Sequence, residues 1–517
     1  MYILLASCLL LLYVGTVGIY RIYFHPLHRY PGPVLAALTE GYEAYYNIVK
    51  GGGLVNQIEQ LHKLYGPVVR IGPNTLHFNY RQAYHDIYTY GSTLVKDSAV
   101  YHTMVPHHET AFGFCDPLLA KARRNILAPL FSRRATAALE YTIQEKVDKL
   151  LTLLVEHYNS PSSAVDMSVA YRSLTLDIIT SYCFAESTNA LDIPNFSHPL
   201  LRGLEQNFRT LWHTRHFPWL MPLFHHGPQE LMMWFIPAFR GYLDLKVAFE
   251  RQVDSLIRDP GTLSSVDHET IYHHLLEPKD CKPPSRESLI HEAFSLISAG
   301  SDTVGNACHV GTFYALKYPE IHRRLVEELH QAWPNKDSPM SYVVLEKLPY
   351  LTAFIRESLR VAIGVVHPLP RVVGATTPEI GGLKLPTGTT VEMSVLFLHM
   401  NPDVFPDPHV FNPDRWLAEN TNEMMLDFAP FCKGPRIWSV NDLYGSHKLC
   451  SLDDHPVWEL TWCELYLILG NFFRKLDTKL VITEDTIEDF CFSQGHMDHF
   501  VPQWRKQYRA YVEKLHG

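Results

Sequence analysis

The chain has 517 residues, is 46% hydrophobic and 19% charged, and sets 45 basic against 54 acidic side chains for a formal net charge of −9. That balance excludes an intrinsically disordered chain, a collagen-like fibre and a protein that coats nucleic acid. Length alone is compatible with about three domains or with one large fold. The nine cysteines are scattered without a CxxC pair, and the 29 histidines include no HExxH. Neither a disulfide scaffold nor a protein-ligated zinc site is therefore expected.

In chain order, Tyr2 to Tyr20 is a run of nineteen residues without a charge. At the helical rise it nearly spans a hydrocarbon core of roughly 30 Å. No basic region precedes it and no small-x-small cleavage site follows, which favours a retained anchor over a signal peptide. Arg21 and Arg29 lie just beyond, so the positive-inside rule leaves the rest of the chain cytoplasmic. Residues 1–21 read as the anchor and 22–33 as a hinge, because Pro31-Gly32-Pro33 cannot continue a helix.

Beyond the hinge, Val68-Val69-Arg70-Ile71 and Thr389 to Met393 are short β-prone runs bounded by turn residues. Apolar residues recur at helical spacing over 138–158, 286–317, 319–333 and 341–362. The Pro-rich stretch 402–413 reads as an irregular surface loop. With no repeat and no long Ser/Gly linker, residues 34–517 are expected to form a single mainly α domain with a small β-sheet.

Ala299-Gly300-Ser301-Asp302-Thr303 interrupts the apolar run 286–317. A mid-helix glycine costs about 1 kcal/mol against alanine, and a buried carboxylate costs more. Two readings stay open: a kink with a solvated aspartate, or a helix opened for a ligand beside a proton-relaying acid and hydroxyl. Glu357 and Arg360 stand at i and i+3 and can pair on one helix face. An ExxR arises by chance about once in a chain of this length, so its weight comes from the motifs downstream of it. Phe411-Asn412-Pro413-Asp414-Arg415-Trp416 supplies a second arginine, and Phe431-Cys432-Lys433-Gly434-Pro435-Arg436 begins fifteen residues after Trp416.

In this order the motifs resemble the cytochrome P-450 heme-thiolate monooxygenases, from the anchor and PGP hinge almost to the C terminus. The resemblance implies that fold, one N-terminal transmembrane helix and a heme b cofactor. Ala299 to Thr303 is similar to the family's oxygen-activating AGxDT, which gives Asp302 and Thr303 the catalytic proton relay. Glu357, Arg360 and Arg415 look like the structural triad that locks the core around heme. His367-Pro368-Leu369-Pro370-Arg371 resembles the strand that turns an arginine toward a heme propionate. Arg124, in the segment Asp116 to Ser132, is similar to the arginine of WxxxR, although Ala120 occupies the aromatic position. The style of Tyr65 to Asn74 resembles filamentous-fungal enzymes of secondary metabolism.

The resemblance breaks at the signature FxxGxRxCxG. Phe431, Gly434 and Arg436 match, but the cysteine position is Trp438 and the next glycine is Val440. An indole does not ligate heme iron, whose push toward O–O cleavage comes from a thiolate. Leu460 to Leu465 looks like the family's LAxxEL, normally seven residues after that arginine; here the separation is 24, an excess of seventeen. Residues 438–459 are polar and non-periodic, and a retained intron explains them best. The alternatives are a degenerate protein, or a substitute ligand from the insert, where Cys450 is the only thiol and His447 and His455 are the imidazoles. Cys432 lies six residues too early and is expected to point elsewhere.

For the intact form the resemblance implies a single-pass enzyme of the endoplasmic reticulum membrane. It would oxidise an apolar small molecule, a terpenoid or polyketide, with O₂ and electrons from NADPH through NADPH-cytochrome P-450 reductase, and without nucleic acid. Lys121, Arg123, Arg124 and Lys433 are expected to face that acidic partner. Substrate-facing residues are expected from the 101–115 loop, Phe294, Ile297, Val365 and Val366. The rival class is a heme-free binding scaffold, favoured by Trp438.

Overall fold

A computed structural model describes residues 1–88, 93–104, 109–222, 227–235, 239–278, 282–376, 379–433, 456–476, 480–483, 496–498, 502–504 and 508–513. The N-terminal helix begins as α1 (Tyr2–Ile19) and continues through a π-helical turn to Phe24, past the expected end at residue 21. Its 23 residues include an 18-residue window of mean hydropathy 2.2 and none is buried, so it is long and apolar enough to cross a membrane. The PGP segment is packed against the domain instead of standing clear of it. Gly32 lies so close to the first strand that a Cβ there would fall 2.2 Å from the Arg70 carbonyl oxygen. The Arg70 amide donates to Pro31 O at 2.7 Å, and Arg70 Nη1 donates to Arg21 O at 2.8 Å.

Taken along the chain, the strands and helices that place the site are β1 (Val68–Arg70), β2 (Thr75–Phe78), β3 (Val95–Lys96), α2 (Pro117–Leu127), α3 (Glu140–His157), α4 (Met167–Phe184), α5 (Pro199–His216), α6 (Phe239–Arg258), α7 (Arg286–Lys317), α8 (Pro319–Ala332), α9 (Pro349–Ala362), β4 (Arg371–Val372), β5 (Thr390–Glu392) and α10 (Pro456–Asn471). The main sheet runs in the order β1-β2-β5-β4-β3. Only the β2–β5 pair is parallel, with Leu76 opposite Val391, and Arg371 stands between Val391 and Lys96 in the antiparallel pairs beside it. A second sheet joins Val165–Asp166, Arg509–Val512 and Leu480–Ile482. The strands are more numerous than periodicity indicates because most are two to four residues long, too short for an alternation to register.

The core is helical, and α7 lies most extensively along α4. Its N terminus is capped by Ser285, whose hydroxyl accepts from the Ser288 amide at 3.1 Å. The close approach to α4 requires Gly300: a Cβ there would fall 2.7 Å from Ile179 Cγ1. The expected 341–362 helix is two pieces, Tyr342–Leu345 and α9, because Pro349 can begin a helix but cannot continue one. The 402–413 stretch is irregular but not merely surface, since Phe405 is fully buried and its neighbouring carbonyls serve the site below.

Candidate active site

The last turn of α9 carries the best-ordered cluster. Arg360 grips Glu357 through two bonds, Nε to Oε2 at 2.9 Å and Nη2 to Oε1 at 2.8 Å. Arg415 Nε reaches the same Oε1 at 3.2 Å, the Asn412 amide donates to it at 2.8 Å, and Trp416 Nε1 donates to Oε2 at 2.9 Å. The guanidiniums direct their other donors to carbonyls of the 402–413 stretch: Arg360 to Pro408, Arg415 to Pro406 and Val410. Burial pushes the Glu357 carboxyl up, but Arg360 and Arg415 outweigh it and hold the group below its usual range. Three charges thus share one fully hydrogen-bonded site that pins the 402–416 segment to α9.

His399 extends this cluster and has no sequence signal. Its Nδ1 donates to Arg360 O at 3.1 Å, and its Nε2 accepts from the Ala429 amide at 2.9 Å. One bond needs N–H and the other a lone pair, so the ring is neutral in a single tautomer. Burial pushes its pKa down to about 3.

On α7 the two expected catalytic residues part company. Asp302 is buried and its Oδ1 is paired with Arg172 Nε of α4, which replaces the solvated-aspartate reading. The helix is continuous through this point. Burial raises the Asp302 pKa and Arg172 only partly offsets it. Thr303 turns the other way: its Oγ1 donates to Ala299 O at 2.9 Å, and its Cγ2 faces the α-carbon side of Gly364, which also looks onto Pro430 O. Thr303 therefore borders the segment that leads to Phe431, whereas Asp302 reaches it only through the helix backbone.

Arg371 on β4 is buried, donates from Nη1 to Tyr101 Oη at 2.9 Å and to Pro370 O at 3.0 Å, and lies over the Tyr88 ring at 5.2 Å. Among the described residues no carboxylate stands within ion-pair distance of it. A buried cation with only neutral partners is what an anionic propionate needs opposite it. Arg124 is likewise buried, on α2, which Asp116 caps by accepting from the Leu118 amide at 2.7 Å.

The iron side differs. Gly434, Arg436, Trp438 and Cys450 lie outside the described residues, as do His447 and His455. Phe431 is half-buried, and Cys432 has a left-handed φ of 69° and sits 4.0 Å from Tyr84 Oη. Among the described residues Arg371 fits the propionate edge of a heme, and the position matched to the axial cysteine, Trp438, lies outside them.

Of the basic residues expected to face a partner, Lys121, Arg123, Arg124 and Lys433, both arginines are buried. Arg123 is buried and donates to Glu292 at 2.7 Å and Ser288 at 2.8 Å, while burial pushes Lys433 down to about 8. Glu292 in turn accepts from the Ala111 amide at 3.1 Å, so this pair ties the 109–115 segment to α7. Of the expected substrate-facing residues, Phe294, Ile297 and Val366 belong to the main core, while Tyr101 joins Val100, Leu211 and Trp212 in a small separate cluster. The helix expected at Leu460 starts at Pro456, within the last residues of the anomalous insert.

Comparison with known proteins accounts for this arrangement. The cytochrome P450 family model matches residues 43–437, ending one residue before Trp438. The chain is 31% identical to the cytochrome P450 monooxygenase MO6277 of Ascocoryne sarcoides over 511 residues, covering 96% of this chain and 95% of the relative. It is 31% identical to the monooxygenase macH of Penicillium terrestre over 528 residues, at 99% and 97% coverage. It is 32% identical to the tryptophan 6-hydroxylase fscE of Fusarium equiseti over 474 residues, at 91% and 89%. With the glutamate–arginine cluster, the buried Arg371 and a near full-length match in hand, the chain belongs to the cytochrome P450 family of monooxygenases.

Proposed function

We propose that the form of this protein without the seventeen-residue excess after Ile437 is a membrane-anchored monooxygenase of a biosynthetic pathway. It takes an apolar small molecule as substrate and electrons from NADPH through a reductase at the endoplasmic reticulum membrane. The observation that carries this reading is Arg371, a buried guanidinium without a carboxylate opposite it among the described residues. The fully satisfied Glu357–Arg360–Arg415 cluster supports it by fixing the 402–416 segment. Family membership brings heme iron, O₂ and reductase-derived electrons, and heme when bound supplies the O₂ chemistry.

The chain's own residues then have separate tasks. Arg371, with Arg124 as its weaker companion, would neutralise the acid edge of the cofactor. Phe431, Gly434 and Arg436 match the family's cofactor-binding signature and would help hold the cofactor. Thr303 Oγ1 holds a proton that it donates at rest to Ala299 O while its methyl faces Gly364, and Asp302, paired to Arg172, keeps that turn of α7 in place; the two would form the proton relay. Replacing Thr303 by Ala is expected to lower product formed per NADPH consumed several-fold while leaving substrate binding intact. Unchanged coupling would remove Thr303 from the relay.

The chain with Trp438 in place favours a second reading, a heme-free scaffold that binds small molecules. Expression of both forms separates the two. The short form, in which a cysteine follows Ile437, is expected to bind heme and give the thiolate carbon-monoxide difference band, and the long form is expected to give neither. A thiolate band from the long form would point to Cys450 and overturn the reading of the insert as foreign to the enzyme.

A further inference from the structure

A polar recess lies where three parts of the chain meet: Glu43 and Asn47 from the segment after the anchor, Trp212 and His216 from the last turn of α5, and His367 from the approach to β4. His367 is three residues beyond Gly364, whose α-carbon faces Thr303. Asn47, Trp212 and His367 are each no more than 4% exposed.

The hydrogens in this recess can be assigned. Asn47 Nδ2 donates to Glu43 Oε1 at 3.3 Å and lies 3.1 Å from His216 Nε2, which must accept. His367 Nδ1 donates to Pro368 O at 2.9 Å. Burial lowers the pKa of both rings, His216 to about 4, so at neutral pH the Nε2 of His367 is a bare lone pair. That lone pair faces Glu43 Oε1 across 3.9 Å, too far for a hydrogen bond and with no hydrogen between them. Asn47 Oδ1, Trp212 Nε1 and His367 Nε2 are buried without any hydrogen-bond partner. Buried orphans of this kind are costly, so a natural site of this build is normally filled.

We propose that this recess binds a nitrogen bearing at least two hydrogens, a primary amine or carboxamide, on the substrate's otherwise apolar body. An atom about 2.9 Å from both Glu43 Oε1 and His367 Nε2 sees them roughly 85° apart, so two N–H bonds about 107–120° apart reach both with each hydrogen bond bent by about 10–20°, whereas a hydroxyl has one hydrogen and satisfies one acceptor. Asn47 Oδ1 offers a third acceptor. A carboxylate is disfavoured because Glu43 is ionised, its burial penalty outweighed chiefly by the Arg215 guanidinium, with help from the Asn47 amide that donates to it. The inference deepens the monooxygenase reading by naming a handle on its substrate.

The test is binding to the full chain in detergent, without turnover, of naphthalene, 2-naphthol, 2-naphthoate, 2-naphthamide and 2-(aminomethyl)naphthalene. At least one N–H₂ member is expected to bind about tenfold tighter than both naphthalene and 2-naphthol, and Glu43→Gln or His367→Phe is expected to cut that ratio below threefold. Naphthalene affinity unchanged in the variants shows that they are folded, and the wild-type series stands without them. Equal affinity across the series means an ordered water fills the recess, and tightest binding of naphthol or naphthoate assigns another head group; either overturns the proposal. Because no step requires heme, a preserved N–H₂ preference with no oxidation would count against the enzyme reading alone.

Discussion

Replacing Glu357 by Ala is expected to destabilise the domain by about 3–5 kcal/mol, a large part of the roughly 5–15 kcal/mol that holds a typical domain together. The carboxylate accepts from Arg360, Arg415, the Asn412 amide and the Trp416 indole, of which the two arginines and the tryptophan are buried. Its loss strands two guanidiniums and an indole N–H, and the Pro406, Pro408 and Val410 carbonyls cannot neutralise the charge. Arg360→Lys is expected to follow in the same direction, since an ammonium cannot reproduce the two parallel bonds to Glu357. Urea midpoints of the purified chain measure both. A midpoint that stays put in Glu357→Ala would show that the cluster is incidental to stability.

Acid should unfold the protein early, and the sign follows from burial. Eight described histidines, at 25, 62, 77, 198, 216, 309, 367 and 399, have folded pKa values below the ordinary 6.5, with burial the first cause in each. Each contributes stability that is whole above pH 6.5 and is lost as pH falls toward its folded value, about 4 for His216 and about 3 for His309 and His399. Five buried carboxyls, Asp166, Glu292, Asp302, Glu392 and Glu464, are raised and oppose this, because folding makes them hold protons. The histidines outnumber them, so stability is expected to fall as pH drops below about 6. Urea midpoints at pH 7.5, 6.5 and 5.5 should be flat over the first step and fall over the second. A flat profile throughout would mean these rings titrate in the folded state.

Features set by neighbours in sequence are legible without the structure. Glu357 and Arg360 share a helix face by spacing alone, and α7 begins and ends at 286 and 317 as its apolar period indicates. Features set by distant partners are not. Nothing near Asp302 announces Arg172, which stands 130 residues earlier, and nothing near Arg123 announces Glu292. The general rule that charged residues face water places both in solvent, and both obey instead the rule that a buried charge finds a partner. The Pro-rich stretch reads as surface because its composition describes its side chains, while its contribution is made by carbonyls. Arg371 is legible only through the motif, and Tyr101, Tyr88 and His399 carry no local pattern at all.

His399 has a consequence for how the cofactor loop is placed. Its ring is a strut with one end on the last turn of α9 and the other on the backbone at Ala429, two residues before Phe431. Both ends are made by the polypeptide alone. The entry to the cofactor loop is therefore tied to α9 by bonds internal to the polypeptide, and its position does not depend on a contact with the prosthetic group.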